Sequence, residues 1–505
     1  MNINTAYYKS IAKAGNLFLP VFTSTPLEKE DFFSYLPDTA KDTLVRFAKE
    51  CKRGEGEVKT LRLFEDGIKS IVLFGMGAKE KWNARKHVFI ARRMVQYAKG
   101  ESIKEFSVPI PLIRFEKKSL SETAKVFAEN AILGNFAFTK YKEMPKEGWP
   151  EVHAVNLLVE GGKTAEVLLG IREGAIIGEE TNECRALANT PGGDMTPVLL
   201  AEAARRSVAK LDVRVNVFDE KKMASLGMGA ILGVAKGSVE KPRFIILEYL
   251  NGPKNQKPLV LAGKGVTFDT GGLNLKPSNY IYEMHMDMSG GAAVIHGIAA
   301  IARLKLPLNA IGLIPAAENM PSGSSYHPGD LLKSLSGKTI EVLDTDAEGR
   351  VLLSDALTYG LRYKPGLLID FATLTGAAHV ALGSHMSAVF TREHDQKLQD
   401  TLIEVGLQSG DYVWPLPLWD EYLTEIKGTF GDLANVGSRD RYGGAIHGAK
   451  FLEQFAGDAR FAHIDIAPRM TTIEGEYLAK GASGVGVRFI VELAKSYSRI
   501  MSHES

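Results

Sequence analysis

The chain runs to 505 residues, of which 45% are hydrophobic and 24% charged. That is the composition of a globular protein of roughly two to four domains, and it excludes a disordered chain, a collagen-like fibre and a disulfide-stapled miniprotein. With 61 Lys and Arg against 60 Asp and Glu the net charge is +1, so the surface as a whole is not expected to hold a nucleic acid or an anionic membrane.

Residues 16–22 are apolar but interrupted by Pro20, and an acidic stretch follows without a small-x-small cleavage pattern. They are expected to form the first strand rather than a signal peptide. Residues 70–74 read as a short strand, 79–99 as one long helix, 106–112 as extended, 119–133 as helical and 152–159 as extended. Such alternation predicts an α/β fold with a largely parallel sheet. A helix over 164–188 is expected to end at the breaker Asn189-Thr-Pro-Gly-Gly193, and Thr196-Pro197 to open the next helix as N-cap and first residue. The pattern then resumes, with strands expected over 244–250, 259–262, 309–316 and 367–371 and helices over 290–304 and 351–362. The predicted organisation is an N-terminal α/β domain over 1–165, a connecting helix over 166–190 and a larger α/β domain over 191–505. No apolar run reaches about 18 residues, so no membrane-spanning helix is expected. The two cysteines, Cys51 and Cys184, exclude a disulfide framework and suit a reducing, cytoplasmic setting.

Charge is divided between the halves. Residues 1–160 carry 26 basic and 20 acidic side chains, and residues 161–505 carry 35 and 40. Much of the N-terminal excess lies in Lys79, Lys81, Arg85, Lys86, Arg92, Arg93 and Lys99, opposed only by Glu80. A basic helix can grip phosphates, although such a run is more often a solvated face. Nucleic-acid binding through this helix is the second hypothesis for function.

Several chemistries are missing. Gly162-Lys163-Thr164 and Gly337-Lys338-Thr339 lack the upstream glycine of a P-loop, having Leu157 and Leu332 in its place. There is no G-x-S-x-G elbow and no H-E-x-x-H. What remains are three glycine-punctuated segments rich in carboxylates and lysines. The first holds Lys264, Asp269 and Lys276 after an apolar strand. The second sets Asp287 between methionines, where an unpaired charge would be expensive. The third is Asp344-Thr-Asp346-Ala-Glu348-Gly-Arg350; if extended, it would place its three carboxylates on one face. Carboxylates in such number, without His or Cys, suit hard or borderline divalent ions, and there are enough to bridge two of them. Simple salt-bridging to Lys264, Lys276 and Arg350 is the competing reading.

These segments, in this order, resemble the leucyl aminopeptidase (cytosol aminopeptidase) family of dinuclear metallopeptidases. The family signature N-T-D-A-E-G-R stands here as Asp344-Thr-Asp-Ala-Glu-Gly-Arg350, with Asp for Asn at its first position. The likeness also covers Gly263 to Gly272, Glu318-Asn-Met-Pro321, Tyr326-x-Pro-Gly-Asp330, Ala372-Thr-Leu-Thr-Gly376, Gly443-Gly-Ala-Ile446 and His463-Ile-Asp-Ile-Ala467. The N-terminal third matches the family only in α/β character and length. The resemblance implies a smaller, macro-like N-terminal domain and a larger zinc-peptidase-like catalytic domain. It implies aminopeptidase action on peptides with leucine-like N-termini, by metal-activated water. Lys264, Asp269, Asp287, Asp346 and Glu348 would hold two divalent ions, zinc or manganese, with magnesium or cobalt as alternatives. Asp269 and Glu348 would bridge, Lys264 would be neutral, and Lys276 would polarise the scissile carbonyl. Arg350 would hold a bicarbonate serving as general base, and Met284, Thr373 and Gly376 would contribute to the substrate pocket. It further implies a homohexamer of two stacked trimers, with no membrane association. Asp344 can keep an Asn's turn geometry but not its NH2 donors. Either it adds negative charge beside the ions, or it faces solvent or pairs with a Lys or Arg to no effect.

Overall fold

The computed structural model describes residues 1–63, 67–114, 118–437 and 442–502. The chain forms two compact units, one comprising Met1–Asn182 with Glu474–Ala479, the other beginning at Glu183 and resuming at Lys480. The division falls inside the helix Thr164–Ala188. Among the described residues, no helix is long and apolar enough to cross a membrane.

Among the described residues of the first unit six strands form one sheet: β1 (Asn2–Tyr7), β2 (Gly15–Val21), β3 (Val58–Arg62), β4 (Ile68–Gly75), β5 (Glu105–Pro109) and β6 (Ala154–Val159). Their order is β1-β6-β5-β2-β4-β3, and only the β3–β4 pair is antiparallel. Alternation along β2 sends Leu17, Leu19 and Val21 into one apolar cluster and Phe18 into another, where its ring stacks on Phe106 at 4.3 Å. The stretch expected as the first strand is therefore the second. The true first strand, Asn-Ile-Asn-Thr-Ala-Tyr, lies at the sheet edge and is half exposed, which explains its weak apolar signal.

The basic run also departs from expectation. A short 3-10 turn over Lys79–Lys81 precedes a helix over Ala84–Gly100, and Asn83 caps that helix by accepting the Lys86 N–H at 3.1 Å. Its charges are largely engaged. Arg92 is 3% exposed and donates to Asn130 Oδ1 at 2.9 Å, Lys86 pairs with Glu55 at 2.7 Å, and Arg93 lies over the Tyr477 ring at 5.7 Å. Arg92, Lys86 and Arg93 are thus committed to neighbours, while Lys79, Lys81 and Arg85 stay exposed.

Among the described residues the second unit has twelve strands: β7 (Arg214–Phe218), β8 (Arg243–Leu250), β9 (Leu259–Gly263), β10 (Gly265–Asp269), β11 (Asn309–Asn319), β12 (Leu331–Lys333), β13 (Thr339–Glu341), β14 (Leu367–Ala372), β15 (Ser387–Thr391), β16 (Val413–Pro415), β17 (Leu433–Ala434) and β18 (Phe461–Asp465). The main sheet runs β16-β15-β18-β14-β9-β11-β8-β7, with β10 paired to β11, and β12-β13-β17 form a small second sheet. At its centre β18, β14, β9 and β11 are mutually parallel and buried along their length, apolar but for polar residues such as Asp370, His463, Asp465 and Asn319. One face is covered by the helices Ser289–Arg303 and Val487–Ser502, the other by Glu348–Gly360 and Gly444–Glu453. Leu259 and Leu261 of β9 enter the first core, Val260 and Ala262 the second. Parallel central strands bring their carboxyl ends to one edge, where α/β sheets place their ligand sites.

Candidate metal centre

At that edge the predicted residues converge. Lys264 follows β9, Asp269 ends β10, and Thr373 follows β14. Asp287 follows the turn Met284–Met286 and is separated from the helix Ser289–Arg303 only by its N-cap, Met288. Glu348 is the first residue of the helix Glu348–Gly360, where the helix dipole favours a carboxylate. The third segment is not extended. Asp344 Oδ1 accepts the Asp346 N–H at 2.8 Å and Ala347 N–H reaches Asp344 O at 3.3 Å, so a turn feeds the helix. The side chain of Asp344 thus shapes the turn, while its charge also acts on Arg350 and, with those of Glu348, Asp269 and Asp346, on the Tyr326 hydroxyl.

Lys264 Nζ lies 2.8 Å and 2.7 Å from the two Asp287 oxygens, 2.7 Å from Glu348 Oε1 and 3.0 Å from Thr373 O. Gly349 lets the lysine pass, since a Cβ there would stand 2.7 Å from Lys264 Cε. Lys276 Nζ lies 2.8 Å from Asp269 Oδ2 and also bonds Asp346 Oδ1. Asp269 Oδ1 accepts from Gly271 N and Asn319 Nδ2, both at 2.8 Å. Asp269, Asp287, Glu348 and Lys264 are each at most 3% exposed.

Four carboxylates face two lysines, leaving two negative charges in excess. Burial and mutual repulsion accordingly push the Asp287 and Glu348 carboxyls above their ordinary range, and Asp346 to about 7. Burial pulls the Lys264 amine down, but Asp287, Glu348 and Asp269 more than offset it and hold it above the usual value. Asp287 Oδ2 and Glu348 Oε1 have no hydrogen-bond partner among the described residues, although the Lys264 nitrogen is close to both. Asp269, Asp346 and Glu348 present ligand oxygens within 4.8 Å of one another. Excess negative charge and three carboxylates with converging oxygens fit hard or borderline divalent cations.

Arg350, in the first turn of the same helix, donates from Nη1 to Asn435 O at 2.9 Å, while its buried Nε–H has no partner among the described residues. Burial lowers its pKa to about 10. A guanidinium with a spare buried donor fits a small anion. Thr373 is less open than expected of a pocket wall, because its hydroxyl donates to Asp287 Oδ1 at 2.6 Å. Gly376 is exposed at the start of the helix Gly376–Leu382, and a Cβ there would meet nothing within 4 Å. Met284 is half-buried at the turn leading to Asp287.

Sequence reasoning assigned no role to two asparagines that hold this centre together. Asn319, fully buried at the end of β11, donates to Asp269 Oδ1 at 2.8 Å and to Thr345 O at 2.9 Å. Asn435, equally buried after β17, contacts Leu343, Asp344 and Arg350. For Asn435, set between Ala434 and Val436, an asparagine between apolar residues was the available signal, since a buried amide needs partners.

Fold and site define an α/β protein with an acidic, cation-suited centre at the carboxyl ends of its parallel strands. The catalytic domain of the cytosol aminopeptidase family matches residues 182–491, and that family's N-terminal domain matches residues 19–145. The chain belongs to the cytosol aminopeptidase family, whose activity is that of a peptidase acting as an aminopeptidase. The N-terminal third thus shares more with the family than α/β character and length. The "Probable cytosol aminopeptidase" of Geobacter sulfurreducens is 46% identical over 74% of this chain and 74% of that protein. Its namesake from Roseiflexus castenholzii is 40% identical over 87% of this chain and 90% of its own length. Two structures of the "Bottromycin maturation enzyme BotP", one in complex with Mn, are similar at 29% identity and a TM-score of 0.82, covering 96% of this chain and 100% of theirs.

Proposed function

We propose that the protein is a dinuclear metal-dependent aminopeptidase that releases N-terminal residues, leucine-like ones preferred, from peptides. The observation that carries the reading is the excess of carboxylates, Asp269, Asp287, Asp346 and Glu348, over the two lysines, Lys264 and Lys276, that face them. Lys264, Asp269, Asp287, Asp346 and Glu348 would hold the ions, and Arg350 a bicarbonate. When bound, the ions supply Lewis acidity and a lowered water pKa, and the anion supplies a proton acceptor. Manganese is supported by the Mn complex of the BotP structure, and zinc by the borderline character of the donor set.

The chain's own residues do the rest. Lys276, less buried than Lys264, keeps its proton; Asp269, Glu348 and Asp346 raise its pKa against the opposing effect of burial. Its ammonium would polarise the scissile carbonyl and stabilise the developing oxyanion. Arg350 would orient the proton acceptor through its spare Nε–H. Gly376 and Met284 would shape the pocket for the first side chain. Thr373 would contribute its backbone there, its hydroxyl being committed to Asp287. A homohexamer of two trimers and a cytoplasmic location follow the family resemblance, the latter also the relatives' names. Sedimentation velocity reads the assembly.

Chelation is expected to abolish hydrolysis of leucinamide, and added Mn or Zn to restore it. Full activity in protein shown by elemental analysis to be metal-free would overturn the mechanism.

A further inference from the structure

Asn435 is 0% exposed, and every polar group it carries points at the candidate centre or its support. Its Nδ2 donates to Asp344 O at 2.6 Å. Its Oδ1 accepts from Leu343 N at 2.8 Å and Asp344 N at 3.3 Å. Its backbone carbonyl accepts Arg350 Nη1 at 2.9 Å, and its backbone N–H donates to Glu341 O at 3.0 Å. One residue thus grips the start of the segment that carries Asp346 and Glu348, and also the guanidinium of Arg350.

The small sheet delivers it there. β17 pairs in parallel with β13, Ile340 with Leu433 and Glu341 with Ala434, so the next residue of each strand emerges at the same edge. On one side that residue is Asn435; on the other the chain continues through Val342 to Leu343 and Asp344. The loop before β17 is fixed separately. Glu341 accepts the N–H groups of Thr429 at 2.6 Å, Phe430 at 2.9 Å and Gly431 at 3.4 Å. Asp432 accepts Thr339 N at 2.7 Å and Thr339 Oγ1 at 2.8 Å. Asp432 therefore ties the same two strands without touching the carboxylate segment.

We propose that Asn435 is a positioning residue, which sets the carboxylate segment Asp344 to Glu348 in register with Arg350 through its side-chain bonds to Leu343 and Asp344 and its backbone bond to Arg350. The proposal rests on the metallopeptidase reading for its kinetic consequence, but its effect on cation binding is read independently. Asn435→Ala removes the side-chain bonds and leaves the Arg350 bond, so the carboxylates lose their alignment to the guanidinium. Asn435→Asp keeps an acceptor for Leu343 and Asp344 but turns an oxygen toward Asp344 O.

The test compares the full-length wild type, Asn435→Ala, Asn435→Asp and Asp432→Ala. Mn affinity is measured by calorimetry, kcat and KM on an aminoacyl-p-nitroanilide, and thermal midpoints by circular dichroism. Both Asn435 variants are expected to bind Mn more weakly and to lose kcat by about 10–100-fold, the usual effect of removing a group that orients metal ligands, with KM changed far less. Asp432→Ala is expected to lower the thermal midpoint while leaving Mn affinity and kcat near wild type. If Asn435→Ala fails to fold, the nearly isosteric Asn435→Asp decides alone. Wild-type affinity and kcat in the folded Asn435 variants would overturn the proposal, as would an equal loss in Asp432→Ala. A wild type that binds Mn but shows no peptidase activity would instead overturn the functional reading, and the Mn titrations would still decide the role of Asn435.

Discussion

The two lysines have similar neighbours and different exposure, 4% for the Lys264 side chain and 13% for Lys276. Removing one partner of a buried ion pair leaves the other charge uncompensated, at a cost of about 3–5 kcal/mol. Lys264→Ala is therefore expected to lower the unfolding free energy of chelated protein by about that amount, and Mn to recover part of it. On the proposed reading Lys264→Ala also lowers metal content, whereas Lys276→Ala lowers kcat at near-normal metal content. Elemental analysis beside steady-state kinetics separates them, and equal metal loss in both would reverse the assignment. A neutral Lys264 requires the bound dications to outweigh the carboxylates that otherwise hold its proton. Asp346 gives the pH dependence. Burial, then Asp269 and Glu348, raise its pKa from 3.8 to about 7, against the pull of Lys276. A raised carboxyl keeps its proton in the folded state, and a cation must displace it. Mn affinity is thus expected to rise with pH through about 7 and to go on rising above it, because the Asp287 carboxyl and the Lys264 ammonium, both held above their ordinary values, must also give up protons; calorimetry in buffers of different ionisation enthalpy would count them. In chelated protein the sign is opposite: as pH rises from 3.8 to about 7 the folded state holds the proton more tightly than the unfolded chain, so stability falls.

At the scale of elements, the turn before the helix Glu348–Gly360 decides how Asp344 should behave. Its Oδ1 accepts the Asp346 N–H, and the helix's own N-cap, Ala347, offers no side-chain bond. An asparagine keeps that acceptor and an alanine does not. Asp344→Asn is expected to stay within about ±0.5 kcal/mol of wild type in urea unfolding, and Asp344→Ala to lose about 1 kcal/mol. Equal losses would mean that the charge, not the acceptor, matters. The same turn marks where sequence reading stopped. Carboxylates at alternate positions read as one face of a strand, but a local side-chain bond to the backbone competes with extended structure and won. Long apolar segments were legible: the buried strands β9, β11 and β14 and the helix Ser289–Arg303 stand close to their expected ends, because burial imposes their composition. Polar or capped segments were not. β1 alternates without strong apolar residues, and the run at 79–99 is split where Asn83 offers a cap. In the centre, the charged residues were legible from the cost of burying like charges. Asn319 and Asn435 were not, because a neutral amide shows its role only when its partners, far away in sequence, are in place.

For the whole molecule, each unit has apolar cores of its own, and all the residues of the candidate centre belong to the unit that begins at Glu183. A ligand stabilises the folded state it binds by RT ln(1 + [L]/Kd), about 2.7 kcal/mol at a hundredfold excess over Kd. On the proposed reading that free energy would enter through Lys264, Asp269, Asp287, Asp346 and Glu348, and among the described residues the only cluster of Asp, Glu, His or Cys with metal-ligand spacing is Asp269, Asp346 and Glu348. Calorimetric unfolding of the whole chain is therefore expected to show two transitions, as is usual for chains of more than one domain. Added Mn should move only the one with the larger enthalpy, because enthalpy scales with residue number and the second unit is the larger. Chelator should move the same transition down. The Lys264→Ala variant should begin with that transition lowered and respond less to Mn. If Mn shifted both transitions equally, stability would be shared across the chain and the two units would unfold as one.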